Sequence, residues 1–123
     1  MCGGDMELSS NPIPGPPGGA GATVITVNAA RIDASVAIQF KDAMRGLTAG
    51  GAGDVILDLS QVSFVDSSGL GAIVGAMKAL EADRHMHLAG LTADVDKVFR
   101  LTRMDTVFAI HAHASDASAQ LAG

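Results

Sequence analysis

The sequence predicts a single α/β domain in which a small, mostly parallel (mixed) sheet is packed by helices. Short apolar stretches of strand-like composition alternate with segments whose apolar residues recur at helical spacing. The chain has 123 residues, which is enough for one hydrophobic core but not for two. Aromatic residues make up only 3% of the chain, so aliphatic side chains and four phenylalanines must form that core.

The first 22 residues are predicted to form a flexible segment rich in proline and glycine. All four prolines of the chain lie within residues 12–17. Proline cannot continue a helix, and it lacks the N–H group that a central strand donates. Residues 5–10 can still form a short edge strand. We therefore expect the folded domain to span residues 23–123.

The first strand and the first helix of this domain follow from two patterns. Residues 23–28 predict a strand, because Ile25 and Val27 alternate with the side chains between them. Asp33 and Ser35 are candidate helix caps, since their side-chain oxygens accept hydrogen bonds from free N–H groups. The apolar residues that recur at helical spacing after them are Ala37, Phe40, Met44 and Leu47.

The middle of the chain predicts a buried strand and an amphipathic helix. Residues 55–59 form a short apolar run, which fits an interior strand of a sheet that helices cover. The second helix is predicted over residues 67–82, and its apolar stripe must face the sheet. That stripe consists of Leu70, Ile73, Val74, Met77 and Leu80.

The remaining residues continue the alternation of strand and helix. We predict a strand over residues 85–91, a third helix over 93–104, the last strand over 106–113 and a short C-terminal helix over 115–122. The residues of the third helix that are predicted to turn inward are Val95, Val98, Phe99 and either Leu101 or Thr102.

Charge and composition exclude several classes of protein. A net charge of −5 gives no electrostatic reason to bind nucleic acid or an anionic membrane surface. No apolar run approaches the roughly 18–20 residues that a membrane helix needs, and no signal peptide is recognisable. Cys2 is the only cysteine, so an internal disulfide or a cysteine-based zinc site is excluded. We therefore expect a soluble cytoplasmic protein.

The residues Asp66-Ser67-Ser68-Gly69 mark the start of the second helix and give Ser67 two possible roles. Its hydroxyl can cap the helix. Alternatively, it can carry a phosphate group, because the free N–H groups and the dipole of a helix start favour negative charge. From the residues alone, capping is the favoured interpretation.

The second helix is also predicted to offer a docking surface. Gly69 and Gly71 keep the first turn low, so that a partner's backbone can approach it closely. Glycine in a helix costs about 1 kcal/mol relative to alanine, and this cost must be offset by some contact. Either a partner or the chain's own segments can provide that contact. The small residues opposite the apolar stripe are Ser68, Ala72, Gly75, Ala76 and Ala79.

Neither a metal site nor an enzyme is predicted. The pairs His85/His87 and His111/His113 each share one face of a strand, so they can converge on zinc or copper if the two strands are neighbours. Histidines also collect at strand ends without binding metal, and this is the favoured interpretation. Ser67 lacks the glycine-flanked elbow of a serine hydrolase. We expect no catalytic residue, metal or cofactor.

The runs Val55-Ile-Leu-Asp-Leu-Ser and Phe64-Val-Asp-Ser-Ser-Gly-Leu-Gly71 closely resemble STAS domains. They are most similar to the stand-alone anti-sigma factor antagonists of bacterial partner-switching systems. The resemblance covers about residues 23–118 and includes Arg31-Ile-Asp-Ala34 and Val98-Phe-Arg-Leu-Thr102. It implies a small mixed sheet packed by helices, which agrees with the fold class predicted from the patterns.

The resemblance implies that Ser67 is the phosphoacceptor, because the modified serine of the family directly follows the motif aspartate. Such proteins bind a kinase-fold anti-sigma factor when unphosphorylated and so release its sigma factor. That serine kinase ends the interaction by phosphorylation, and a PP2C-type phosphatase restores it. The resemblance also places Asp33, Asp66, Ser68 and Gly69 at the docking site, and Gly71, Ala72 and Gly75 continue it along the helix.

Departures from the family pattern leave an alternative open. Ala30 and Arg103-Met104 replace glycine-containing positions, and the first strand is displaced or lost among the prolines. A STAS scaffold, or a regulatory subunit of a transporter, would dock without phosphorylation, and substitution of Ser67 would leave its binding largely unchanged. The oligomeric state stays open between a monomer and a weak dimer.

Overall fold

The fold is seen in a computed structural model, which describes residues 7–13, 21–49, 53–80 and 84–113. Five strands form one sheet in the order β1-β2-β4-β6-β7, and β3 and β5 form a separate two-stranded sheet. The strands are β1 (Leu8–Ile13), β2 (Ala22–Val27), β3 (Arg31–Ile32), β4 (Asp54–Asp58), β5 (Phe64–Val65), β6 (Met86–Ala89) and β7 (Ala109–His111).

The main sheet is mixed but mostly parallel, as predicted. Only the β1–β2 pair is antiparallel, while β2, β4, β6 and β7 run in the same direction. The central strand β4 has a run of three buried aliphatic residues, Val55, Ile56 and Leu57, because protein covers both faces of the sheet there. The predicted interior strand is therefore confirmed.

Three helices pack on one face of this sheet. They are α1 (Ala37–Thr48), α2 (Ser67–Lys78) and α3 (Ala93–Leu101), and a 3-10 turn (Met104–Thr106) follows α3. Phe40 of α1, Ile73 of α2 and Phe99 of α3 are fully buried in one core with the facing strand residues. Ala22, Ile56 and Ala89 form a second, smaller buried cluster on the other face.

The first strand extends further into the proline-rich stretch than predicted. It ends at Ile13 and includes Pro12, which lies opposite Thr23 of β2. The N–H group of Asn28 donates to Glu7, and hydrogen-bonded pairs alternate along an antiparallel ladder. The nitrogen of Pro12 therefore faces away from β2, and the strand loses no hydrogen bond to its neighbour. An edge position is where proline is tolerated in a sheet.

Helix boundaries and inward faces differ from prediction in several places. Helix α1 begins at Ala37 with Val36 as N-cap residue, so neither Asp33 nor Ser35 caps it. Leu47, predicted to recur on the apolar face of α1, is 39% exposed. Helix α3 ends at Leu101, because Arg103 adopts a left-handed conformation and a 3-10 turn follows; Leu101 is 75% exposed and does not turn inward.

The start of the last strand and the end of α2 also differ from prediction. The last strand begins at Ala109, three residues later than predicted, since residues 104–106 form the 3-10 turn. Helix α2 ends at Lys78, earlier than the predicted residue 82. The predicted helix over residues 115–122 lies outside the described residues.

Candidate functional site

The start of helix α2 is held by Asp66. Its Oδ1 accepts a hydrogen bond of 2.8 Å from the N–H of Gly69, which makes Asp66 the N-cap residue. Its Oδ2 accepts a second hydrogen bond, of 3.2 Å, from the N–H of Ala34. One carboxylate thus satisfies a free donor of the helix and also fixes the loop that precedes α1.

Ser67 is the first residue of α2, and its side chain is exposed. Because Asp66 already caps the helix, the capping role that the residues alone favoured for Ser67 is wrong. Its hydroxyl makes no hydrogen bond to any residue that the structure describes. The hydroxyl is therefore available to another molecule, at the end of the helix where free N–H groups favour negative charge.

The two short parallel strands bring a second loop beside Ser67. Arg31 of β3 lies opposite Phe64 of β5, and Ile32 lies opposite Val65. The chain leaves both strands at the same end, so Asp33 emerges next to Asp66. The N–H of Asp66 also donates to the carbonyl oxygen of Ile32, at 3.3 Å. The two aspartates that the resemblance places at the docking site therefore lie at the same end of the two short strands.

Asp33 is a stabilised anion at the edge of this site. The Ser35 hydroxyl, which donates to Asp33 Oδ1 at 2.6 Å, and then Arg31, at 3.1 Å from Oδ2, hold the pKa of Asp33 below its usual value. The Ser35 N–H adds a further bond of 3.1 Å. The carboxylate closes a local turn, and it stays charged at neutral pH.

An exposed aromatic–cation pair lies on the two short strands. The guanidinium carbon of Arg31 is 4.6 Å from the ring centroid of Phe64, and the ring is 42% exposed. Neither residue was predicted for the site, and Phe64 was expected in the core with the other three phenylalanines. The exposure of its ring shows that this expectation is wrong. The alternation of side chains along a strand indicates the outward position of Phe64, because its neighbour Val65 is buried on the opposite face.

Part of the predicted docking surface is instead internal packing. Gly69 is buried, and a methyl group there would overlap the carbonyl oxygen of Ile32. Ala72 is 2% exposed in the main core, and Gly75 lies beside the Lys41 side chain of α1. The small residues let α2 approach β3 and α1 closely. The burial of Gly69 and Ala72 does not agree with the prediction that they belong to an open partner face, whereas Gly75 is half-buried.

Ser68 and Gly71 remain on the surface. Both are exposed in the first turns of α2. Apart from the helix's own neighbouring residues, no described atom lies within 4 Å of the position where a methyl group on Gly71 would stand. Together with Arg31, Asp33, Phe64 and Ser67 they form what we call the junction surface. It consists of exposed residues of the two short strands, the loop after β3 and the first turns of α2.

The four histidines only partly converge. The rings of His87 and His111 meet, with Nδ1 of the first 3.3 Å from Nε2 of the second. His85 and His87 both approach Asp54, at 3.6 and 2.9 Å. Burial raises the pKa of Asp54, but hydrogen bonds from His87 and His85 outweigh it and leave the pKa below its usual value. Asp54 is therefore an anion between the two histidines.

In the part of the chain that the structure describes, no helix combines the length and the apolar character needed to cross a bilayer.

Comparison with known proteins gives consistent matches. The profile of the STAS domain family matches residues 17–117 of the chain. The anti-sigma-B factor antagonist of Staphylococcus aureus is 28% identical over 72 residues, which make up 58% of this chain and 67% of that protein. The sequence match is thus partial, while the family match spans most of the chain.

Solved structures show the same fold. An anti-sigma-factor antagonist (STAS) domain protein from Planctomyces limnophilus has a TM-score of 0.78 and 19% identity, over 97% of this chain and 99% of that one. The phosphorylated form of SpoIIAA, a Bacillus cell fate determinant, has a TM-score of 0.61 and 22% identity, over 94% and 97%. At these identities the likeness establishes the architecture.

Proposed function

The chain belongs to the STAS domain family, and we propose that it is an anti-sigma factor antagonist controlled by phosphorylation of Ser67. In the unphosphorylated state it binds a kinase-fold anti-sigma factor through the junction surface. Phosphorylation of Ser67 by that serine kinase ends the interaction, and a PP2C-type phosphatase restores it. The protein works in the cytoplasm as a ligand and a substrate, without catalytic residues of its own.

The observation that carries this proposal is that Asp66, and not Ser67, caps helix α2. Asp66 caps α2, so the Ser67 hydroxyl is exposed and has no structural duty among the described residues. A kinase can therefore modify Ser67 without removing a contact that the fold needs. Two comparisons support the proposal: a Staphylococcus aureus relative is named an antagonist of an anti-sigma factor, and SpoIIAA, of the same fold, has a phosphorylated form.

Phosphorylation is expected to leave the fold intact. A phosphate on Ser67 adds about −1.5 to −2 charges at the N-terminus of a 12-residue helix. The free N–H groups and the dipole of that helix favour negative charge there. The nearby Asp33 and Asp66 repel the phosphate, but the site is exposed, so solvent screens much of this repulsion.

The same charge has a larger effect in a complex. Unphosphorylated, the junction surface offers a hydroxyl, the exposed Phe64 ring and the Asp33 carboxylate. A partner that covers this surface removes water from Ser67. A phosphate buried there without a cationic partner pays a desolvation cost and adds like charge beside two carboxylates. We therefore expect dissociation on phosphorylation.

The test is affinity capture from lysate of the native host, with wild-type, Ser67→Ala and Ser67→Asp proteins as baits and mass spectrometry of what they retain. We expect a kinase-fold ATPase on the wild-type and alanine baits but not on the aspartate bait. The captured complex, given ATP, should add one phosphate group to the wild-type chain.

The neighbouring serine provides the matched control. Ser68 is also exposed in the first turn of α2, so Ser68→Ala should still gain the phosphate, whereas Ser67→Ala should not. Circular dichroism of each bait establishes that it is folded. If all three Ser67 baits retain the same partners, the switch proposal fails, and a constitutive scaffold or transporter subunit becomes the better description.

A further inference from the structure

Two histidines face each other on the sheet face opposite the helices. His87 of β6 and His111 of β7 alternate with Leu88 and Ile110, which pack toward the main core. In the register of the two strands, each histidine lies opposite an alanine, so the two imidazoles are diagonal neighbours. Nδ1 of His87 lies 3.3 Å from Nε2 of His111.

Asp54 determines which nitrogen of His87 faces His111. Asp54 Oδ2 lies 2.9 Å from Nε2 of His87. An ionised carboxylate only accepts hydrogen bonds, so Nε2 carries the hydrogen and donates it. In the neutral form of the imidazole the lone pair is then on Nδ1, the ring nitrogen that lies beside Nε2 of His111. A carboxylate behind a histidine is the arrangement that orients metal-ligating histidines in proteins.

The distance between the two nitrogens also suits a bound metal ion. Zinc–nitrogen bonds are about 2.0–2.1 Å long, so two nitrogens at a tetrahedral angle around zinc lie about 3.3 Å apart. Without a metal ion, the two rings share a hydrogen bond at this distance, and a bound ion would take the place of its hydrogen. The His87 side chain is only 13% exposed, so competing water has limited access to it.

We propose that His87 and His111 bind a divalent transition-metal ion of the zinc type, and that Asp54 positions His87 for this role. Imidazole nitrogen is a preferred ligand of such ions. Within residues 7–13, 21–49, 53–80 and 84–113, no three histidine, cysteine or acidic side chains are grouped so as to hold a metal. Among these described residues, the proposed site therefore has two ligands, His87 and His111, and further coordination positions stay open.

A metal ion at this position would stabilise the pairing of the edge strand β7 with β6. Among the described strands, β7 has three residues and pairs with β6 alone. A bond from the ion to each strand adds a second attachment beside the three backbone pairs in register. The proposed metal site shares no residue with the junction surface. A test of zinc binding is therefore independent of the role proposed for Ser67.

The test is a titration of the untagged full chain with zinc chloride. Nuclear magnetic resonance of the histidine ring protons reports which imidazoles bind, and thermal melting reports stabilisation, because an ion that binds the native state raises the melting temperature. We expect one equivalent of zinc to shift the His87 and His111 signals. Magnesium, which prefers oxygen ligands, should shift neither.

Variants separate this site from general histidine binding. His87→Gln and His111→Gln should each weaken zinc binding about tenfold or more, as should Asp54→Asn through loss of the orienting carboxylate. His113→Gln is the matched control, since His113 is exposed and should leave the affinity unchanged. Melting without zinc identifies any variant that is unfolded.

Two results would overturn the metal site. One is the absence of shifts at His87 and His111 at millimolar zinc. The other is an affinity that falls as much with His113→Gln as with His111→Gln, which would indicate nonspecific binding by exposed histidines.

Discussion

At the scale of single residues, the carboxylate of Asp33 collects three hydrogen-bond donors beside Ser67. They are the hydroxyl and the N–H of Ser35 and the guanidinium of Arg31. The hydroxyl bond is the largest cause of the lowered pKa of Asp33. Because the folded pKa lies below the unfolded one, the stability that this carboxylate contributes is present above the unfolded pKa. It is lost as the pH falls through the folded value.

We therefore predict that Ser35→Ala raises the pKa of Asp33 toward its usual value. It should also reduce the dependence of stability on pH in the acidic range, because the folded and unfolded pKa values become closer. A titration of the side-chain carboxyl carbons by nuclear magnetic resonance measures the pKa. Ser68→Ala, which makes no contact with Asp33, is the control. An Asp33 pKa that stays unchanged in Ser35→Ala would contradict the assignment.

The sequence predicts which residues meet at the start of α2 better than it predicts their individual roles. Asp33, Asp66 and Ser67 were all candidates, but Asp33 closes a turn instead of capping α1, and Asp66 caps α2 instead of Ser67. Aspartate and serine serve in caps and in local turns through the same side-chain chemistry. Which role a residue takes depends on where the preceding strand ends. Here β3 ends directly before Asp33 and β5 directly before Asp66, and both strands have two residues.

At the scale of the elements, two glycines in one helix have opposite surroundings. Gly69 is buried where α2 meets β3, and a methyl group there would overlap the Ile32 carbonyl oxygen. Gly71 is exposed, and nothing lies near the position of its absent methyl group. Close packing thus explains the first glycine, whereas no contact within the described part of the chain explains the second.

We predict opposite stability changes for the two alanine variants. Gly69→Ala should lower the free energy of unfolding by about 1–3 kcal/mol, because the backbone of β3 must move to admit the methyl group. Gly71→Ala should raise it by up to about 1 kcal/mol, since alanine is the better helix former. Denaturant unfolding measures both. Equal effects at the two positions would show that helix propensity, rather than the contact with β3, sets the cost.

The faces of α2 show why the spacing of apolar residues does not predict every buried position of a helix. The sequence correctly placed Ile73 toward the sheet, but the small residues Ala72 and Ala76 are also buried, and α1 packs closely on α2. A small side chain fits an exposed face and a tight helix contact equally well. Only the position of α1, which depends on contacts distant in sequence, distinguishes the two.

At the scale of the whole molecule, Asp66 connects parts of the chain that are far apart in sequence. One oxygen holds the start of α2, and the other holds Ala34, 32 residues earlier, at the loop before α1. The junction surface has its shape because this side chain fixes both loops. Asp66 should therefore contribute to global stability as well as to the site.

We predict a graded loss of stability at this position. Asp66→Ala should cost about 0.5–2 kcal/mol for the cap and about 0.5–1.5 kcal/mol more for the bond to Ala34. Asp66→Asn keeps an oxygen for the cap but loses the second acceptor. Its loss of stability should therefore approach the contribution of the bond to Ala34 alone. Urea unfolding of the two variants measures the difference. If both variants unfold like the wild type, Asp66 does not join the loops.

The proline in the first strand has a consequence for how the protein behaves when concentrated. Pro12 turns a nitrogen without hydrogen toward the outer edge of β1, so an incoming strand from another copy finds no donor there. The opposite edge, β7, offers only three residues. Both margins thus resist growth into fibrils or stacked sheets. Separate copies of the protein should therefore stay dispersed at high concentration instead of joining edge to edge.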